Sequence, residues 1–295
     1  MPIVEQRSVL TGLQVKDAMR RNVHRMAADG VIAACIRRMI KYKSNALLVD
    51  DPAGRPAGVV SRTDLMGAYY AGLPLETALA DILAGVPRFC YPDDGLEDAL
   101  DLMQQDGIHR LYVHGAGPAE VVGVIGFADI VGLLYRYCRF CAQSRRKAKK
   151  PDAALPRLAV RDVMSPLAAA CNPNDPIEMV IEMLSSHRFG AVLVASAPGE
   201  PAGVVSKTDL MVAYLHGVPT SAAAESVMTA PVAACSAEAL LAEAIQQMLL
   251  KDVQRLFITA ADAPAVVGVL SLSDAARFRS GTCKACVAGR MLAGV

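Results

Sequence analysis

PAGVVSRTDLMGAYYAG at 56–72 returns, 145 residues on, as PAGVVSKTDLMVAYLHG at 201–217. The same offset aligns residues 15–141 with 160–286 without a gap, so the chain holds a duplicated module. Each copy divides again. GVVSRTD, ending at Asp64, is echoed 65 residues later by GVIGFAD, ending at Asp129, and Asp209 is echoed likewise by Asp274. Four units of about 65 residues follow, arranged two by two.

Working outward from the first of these turns gives the order of elements. VKDAM (15–19) reads as a short helix, and a brief extended piece lies near Met26. In GVIAACIRRMIKYK (30–43) the apolar positions Ile32, Cys35, Ile36, Met39 and Ile40 follow helical spacing. NALLVDD and PAGVVS are β-rich runs separated by the turn-forming PAGRP, and a second helix starts at Thr63. The pattern strand, helix, strand, strand, helix predicts an α+β chain of four βαββα units. A unit this small does not close its own sheet comfortably, so neighbours are expected to pair within each module.

Composition narrows the class. The 295 residues are 53% apolar but only 5% aromatic, with 30 Lys+Arg against 29 Asp+Glu. That length suits about two domains. No apolar run approaches the roughly 18 residues of a membrane span, and MPIVEQRSVL has neither a basic n-region nor a long apolar h-region. A cytoplasmic protein with no membrane partner is expected. The net charge of +1 gives no global reason to expect nucleic acid. Eight Cys in such a chain read as thiols or metal ligands rather than a disulfide framework. The modules are placed at 10–141 and 160–286, with a basic linker, AQSRRKAKKPDAALPRLA, at 142–159 and a tail at 287–295. The linker reads as a solvated hinge, since its like charges have no aromatic interleaving.

The strand-to-helix turns carry the chemistry. GVVSRTD, GVIGFAD, GVVSKTD and GVLSLSD (268–274) each open a helix whose first N–H groups favour an anion. Ser61, Thr63, Ser206, Thr208, Ser271 and Ser273 add hydroxyl donors for phosphate oxygens, while Asp64, Asp129, Asp209 and Asp274 suit the paired hydroxyls of a ribose. The same S-x-x-D spacing is also a helix-capping arrangement. A cap alone does not require the basic residues that recur before the other strand: Lys43, His109-Arg110, His187-Arg188 and Gln254-Arg255.

On these residues the chain resembles a protein of four cystathionine-β-synthase (CBS) domains, two tandem Bateman modules covering nearly the whole sequence. The resemblance rests on the openings VKDAM and VRDVM, the four G-h-h-x-x-x-D turns, and IHRLYV, which is similar to a phosphate-contacting segment of the γ subunit of AMP-activated protein kinase. It implies βαββα units paired about a pseudo-two-fold axis in a disc-like assembly, with two clefts per module for adenosine-containing ligands. By position, Asp64, Asp129, Asp209 and Asp274 would hold ribose. Ser61, Thr63, Ser206, Thr208, Ser271 and Ser273 would approach phosphate, and His109, Arg110, Arg188 and Arg255 would supply charge. Unit two departs from the pattern with Gly126 and Ala128, so the sites are expected to be unequal.

Cysteines also fall in register. Cys138-Arg-Phe-Cys141 and Cys283-Lys-Ala-Cys286 occupy equivalent places in units two and four. Three readings stand: a four-thiolate zinc or iron–sulfur site bridging the modules, a redox dithiol, or small apolar residues at a helix end. Within one chain the metal site requires a head-to-head disc in which unit two faces unit four, the expected arrangement; in a head-to-tail one the four ligands could gather only across a dimer. Met26, Cys90, Cys171 and Cys235 share another register, read as strand packing, and Cys35 as core.

No nucleophile with its base, Walker-type loop or metal-hydrolase spacing is recognisable. The leading expectation is a non-enzymatic regulator that binds AMP, ADP, ATP or another adenosyl ligand and acts on a protein in trans, with a homodimer possible. The competing ones are a metal- or thiol-based redox protein on the same scaffold, and a nucleic-acid or transporter accessory using the basic linker.

Overall fold

The structure, a computed structural model, describes residues 9–83, 85–117, 119–147 (side chains through 140), 157–166, 168–187, 189–197, 200–260 and 265–278. Unit one follows α1 (Val15–Ala18) with β1 (Arg25–Ala27), α2 (Ile32–Lys41), β2 (Ala46–Asp50), β3 (Pro56–Ser61) and α3 (Arg62–Tyr70). Unit two has β4 (Phe89–Cys90), α4 (Leu96–Gln105), β5 (Arg110–His114), β6 (Val121–Gly126) and α5 (Phe127–Lys147). Unit three has β7 (Ala170–Cys171), α6 (Ile177–Ser186), β8 (Ala191–Ala197), β9 (Glu200–Ser206) and α7 (Lys207–Leu215). Unit four has β10 (Ala234–Ser236), α8 (Leu241–Lys251), β11 (Arg255–Thr259), β12 (Val266–Ser271) and α9 (Leu272–Arg277). Each unit forms a three-stranded sheet with one parallel and one antiparallel pairing, the βαββα order expected.

The first helix of every unit lacks a side-chain cap: Val31, Gly95, Pro176 and Leu240 stand at the N-cap. The exposed N–H groups of a helix start need acceptors, and the other unit of the module supplies them. Ile32 N donates to Thr77 O at 3.0 Å and Leu96 N to Leu13 O at 2.9 Å; in the second module Ile177 N donates to Ala222 O and Leu241 N to Leu158 O, both at 2.9 Å. Pairing within a module therefore completes the backbone as well as burying the sheets.

Four cores hold the chain. Leu48, Tyr112 and Val124 lie between the sheets of units one and two, and Ala191, Leu193 and Phe257 between those of units three and four. Between modules, unit one packs on unit three through Leu65, Met66 and Tyr69 with Leu210, Met211 and Tyr214. Unit two packs on unit four through Ile130, Val131 and Leu134 with Leu272, Ala275 and Ala276. This is the head-to-head arrangement. Tyr69 and Tyr214 stack at 4.9 Å, and each donates across the junction, to Val218 O and Leu73 O. At roughly 1.5–3 kcal/mol for each fully buried large aliphatic side chain, these shared cores make each module dependent on the other.

Ile32, Cys35, Ile36 and Met39 are buried as their spacing predicts, whereas Ile40 is only partly so. α3 begins at Arg62, one residue before the expected Thr63, because Ser61 caps it. The glycine that opens each turn has a steric reason. At Gly203 a β-carbon would lie 2.6 Å from Met228 Sδ, and at Gly268 it would lie 2.5 Å from the carbonyl of Ser165, beside Met164. Met228 and Met164 thus pack where the paired unit's strand has no side chain, as Met19 does at Gly123, and Leu83 takes that place at Gly58. Among the described residues no helix is long and apolar enough to cross a membrane.

Candidate functional site

The turns build their site from local hydrogen bonds. Ser61 Oγ accepts from Thr63 N and Asp64 N, and both Ser61 N and Ser61 Oγ donate to Asp64 Oδ2 at 2.7 Å. Ser206 with Asp209, and Ser271 with Asp274, repeat the two-fold donation to the carboxylate. In unit two Gly126 N donates to Asp129 Oδ2 at 2.9 Å. The S-x-x-D turn is therefore a formed cap, and the three serine hydroxyls donate into it rather than outward. Thr63, Thr208 and Ser273 sit two residues further, and Ser273 Oγ lies 2.7 Å from Ser271 Oγ.

Each cap uses one carboxylate oxygen, Oδ2, and leaves Oδ1. The four differ there. Asp209 Oδ1 accepts from Thr229 Oγ1 at 2.7 Å, Asp129 Oδ1 is paired with Arg20 Nε at 2.8 Å, and Arg277 stands 3.9 Å from Asp274 Oδ1. Asp64 Oδ1 has no partner among the described residues.

The cations converge from all four units. Arg110 Nη1 crosses its module to donate to Ala46 O at 2.8 Å, and the guanidinium of Arg255 occupies the equivalent space beside Gly190. Lys43 instead pairs with Asp252 at 2.7 Å. His187 ends α6 against Phe189, and Arg188 lies outside the described residues. Two further cations escaped the sequence reading. Arg62 and Lys207 open α3 and α7; Lys207 Nζ donates to Thr63 Oγ1 at 2.8 Å, linking the modules, and Arg62 Nε is buried with no hydrogen-bond partner among the described residues. The available signal was that the residue after the cap position is a cation in units one and three, but Phe127 and Leu272 in units two and four.

The crowding shows in the titration of these groups. Burial, reinforced by Arg110 and Arg255, lowers Arg62 to about 10. Burial and then Arg255 lower Lys207, while dense surroundings followed by Lys207, Arg255 and Arg110 lower His109. Like charges in a poorly screened setting repel, so the centre favours an anion. An open cleft with a cavity volume of about 120 Å³ is lined there by His109, Arg110, Gln254, Arg255, Ser271 and Ser273.

The CBS domain family matches residues 15–71, 79–136, 160–216 and 224–281, well over half of the chain. The chain belongs to the CBS domain family. Among solved structures, this CBS chain is similar to MJ1225 of Methanocaldococcus jannaschii, a proposed archaeal homologue of g-AMPK, at 12% identity and a TM-score of 0.73 over 90% of this chain and 99% of that one. A conserved uncharacterized protein of Pyrococcus horikoshii aligns at 15% identity and a TM-score of 0.58 over 90% and 100%. These likenesses concern the fold. A homoserine O-acetyltransferase of Methanosarcina acetivorans is 25% identical over 131 residues, 44% of this chain and 24% of that enzyme, so the chain matches about a quarter of its length.

Of the CxxC residues, Cys138 lies on α5, partly exposed; the side chain of Cys141, and Cys283 and Cys286 entirely, fall outside the described residues. Among the described residues no group of three or more His, Cys, Asp or Glu is arranged to hold a metal. Cys35 and Cys90 are buried, and desolvation pushes both thiols up to about 12; Cys171, also buried, rises to about 11. They fit packing.

His109 gives a pH prediction. Its imidazole titrates below the ordinary 6.5 in the folded chain, so the unfolded chain binds a proton first. The stabilisation from keeping it neutral is present above pH 6.5 and is lost as pH falls toward the folded value. Thermal unfolding between pH 5 and 7.5 should show wild type losing more stability on acidification than His109→Gln. Parallel profiles would remove His109 as the cause.

Proposed function

We propose that this CBS protein is a non-enzymatic regulator that binds adenine nucleotides, with phosphates directed at the central cations and ribose at the turn aspartates. One observation carries the reading: Arg62, His109, Arg110, Lys207 and Arg255 act on one another from all four units, at the starts of helices whose caps leave a carboxylate oxygen over. Family membership supports an adenosine-containing ligand. Asp64 and Asp209 are the assigned ribose acceptors. Thr63, Thr208 and Ser273 serve the phosphates with the central cations, and the cap serines hold the turns in shape. Because the cation cluster draws on both modules, a bound polyphosphate would favour one relative setting of the modules, the change a protein partner in trans could read.

The test uses asparagine, which keeps the cap acceptor but removes the charge. Losing a charge-assisted hydrogen bond costs about 1.5–3 kcal/mol, roughly 10- to 150-fold in affinity. Calorimetry should therefore show Asp64→Asn/Asp209→Asn binding AMP and ATP at least tenfold more weakly, at unchanged thermal stability. Wild-type affinity in the double variant would exclude the ribose assignment. The unequal Oδ1 partners also predict fewer than four equivalent sites in the wild-type titration.

A further inference from the structure

In three units the residue after the opening methionine is pinned beside the paired unit's aspartate turn. Arg20 and Val124 exchange both backbone hydrogen bonds at 2.9 Å; Ser165 and Val269 do so at 2.9 Å, and Thr229 and Val204 at 2.8 and 3.0 Å. Each valine lies five residues before the aspartate of its turn, Asp129, Asp274 or Asp209. The backbone placement is shared, but the side chains are not. Thr229 offers Asp209 one neutral hydroxyl, which a ribose hydroxyl can replace like for like. Arg20 offers Asp129 a charge.

We propose that Arg20 is a specificity-determining residue that bars the ribose of a nucleotide from the Asp129 cleft, so that this cleft stays unfilled by AMP while the others bind. The inference rests on the aspartates being ribose acceptors, as in the function proposed above. Both carboxylate oxygens of Asp129 are engaged, Oδ2 by Gly126 N and Oδ1 by Arg20 Nε. The carboxylate is only 9% exposed, whereas the Arg20 side chain is 62% exposed and lies over it. An ion pair between two exposed groups would be worth little. Here one partner is desolvated, and drawing off the cation leaves a buried carboxylate to neutral hydroxyls, which make weaker bonds than a guanidinium. The turn offers nothing in exchange, since Gly126 and Ala128 bring no hydroxyl to a phosphate. Arg20 also borders both the central cleft and a narrow crevice, of about 20 Å³, between the sheets of units one and two, so it stands where the two would join.

The experiment is a calorimetric titration of the full chain with AMP, comparing wild type, Arg20→Met, Arg20→Lys and Arg20→Met/Asp129→Asn. Methionine keeps an apolar stem without the charge. Arg20→Met should gain one site, or tighten the weakest site at least tenfold; Arg20→Lys should behave as wild type, and the added Asp129→Asn change should abolish the gain. Unchanged stoichiometry and affinities in Arg20→Met, or a gain that survives Asp129→Asn, would overturn the inference. If wild type binds AMP and only the gain is missing, the error lies with Arg20 alone. If neither wild type nor Arg20→Met binds AMP, the ribose reading falls together with it.

Discussion

Replacing Arg62 with methionine should make the ligand-free protein more stable and its ATP binding weaker. Arg62 is partly buried with an unpartnered Nε, and burial beside Arg110 and Arg255 brings it from 12.5 to about 10. At 1.36 kcal/mol per unit, that displacement corresponds to at most about 3 kcal/mol of strain on the charged form. Exchanging a buried charge for an apolar side chain of similar volume recovers part of it. The unfolding midpoint should rise by several degrees. The same change removes a charged partner for phosphate, so ATP affinity should fall roughly 10- to 150-fold. Differential scanning calorimetry and titration calorimetry on one preparation check both signs. A variant that melts lower while binding ATP as before would show that Arg62 is a packing residue and not part of an anion site.

Gly268→Ala should be among the most damaging single-methyl additions in the molecule. Its new β-carbon would lie 2.5 Å from the carbonyl oxygen of Ser165, and that backbone is fixed by the paired bonds between Ser165 and Val269. Overpacking of this kind costs about 1–3 kcal/mol, and at this site it also strains both backbone bonds. Gly58→Ala provides the contrast: its β-carbon would meet only side-chain atoms of Leu83, the nearest at 2.8 Å, which can rotate away. Urea unfolding should show a clearly lower midpoint for Gly268→Ala and a smaller change for Gly58→Ala. Equal effects would mean that the rigidity of the opposing backbone does not matter.

The repeat and the strand, helix, strand, strand, helix order were readable because both are local: apolar spacing, turn residues and self-similarity sit in the sequence itself. The turns were legible in residue type but not in use. Ser61 reads equally as a phosphate donor or a cap, and only the geometry shows its hydroxyl donating to Asp64. Arg62, Lys207 and Arg20 were illegible for a different reason. Each lies beside an otherwise informative motif, and its meaning comes from groups distant in the chain, such as Thr63, 144 residues from Lys207, or Asp129, 109 residues from Arg20. Gly190 is similar, since its lack of a side chain makes sense only once Arg255 is seen to lie against it. Spacing along a chain does not carry such pairings.

The reciprocal closure of helix starts has a consequence for how the chain comes off the ribosome. α2 emerges with N–H groups that Thr77 O and Leu75 O, in the segment leading into unit two, will accept only after all of unit one has been made, and α6 waits in the same way for Thr220 and Ala222. Until then the leading half of a module is a nascent segment with open amide groups and uncovered aliphatic faces. At about 5–20 residues per second, that interval lasts a few seconds, and it recurs when the second module is made. Translation pauses that lengthen either interval would expose the chain to aggregation, and synonymous codons near the unit boundaries would then influence the yield of folded protein.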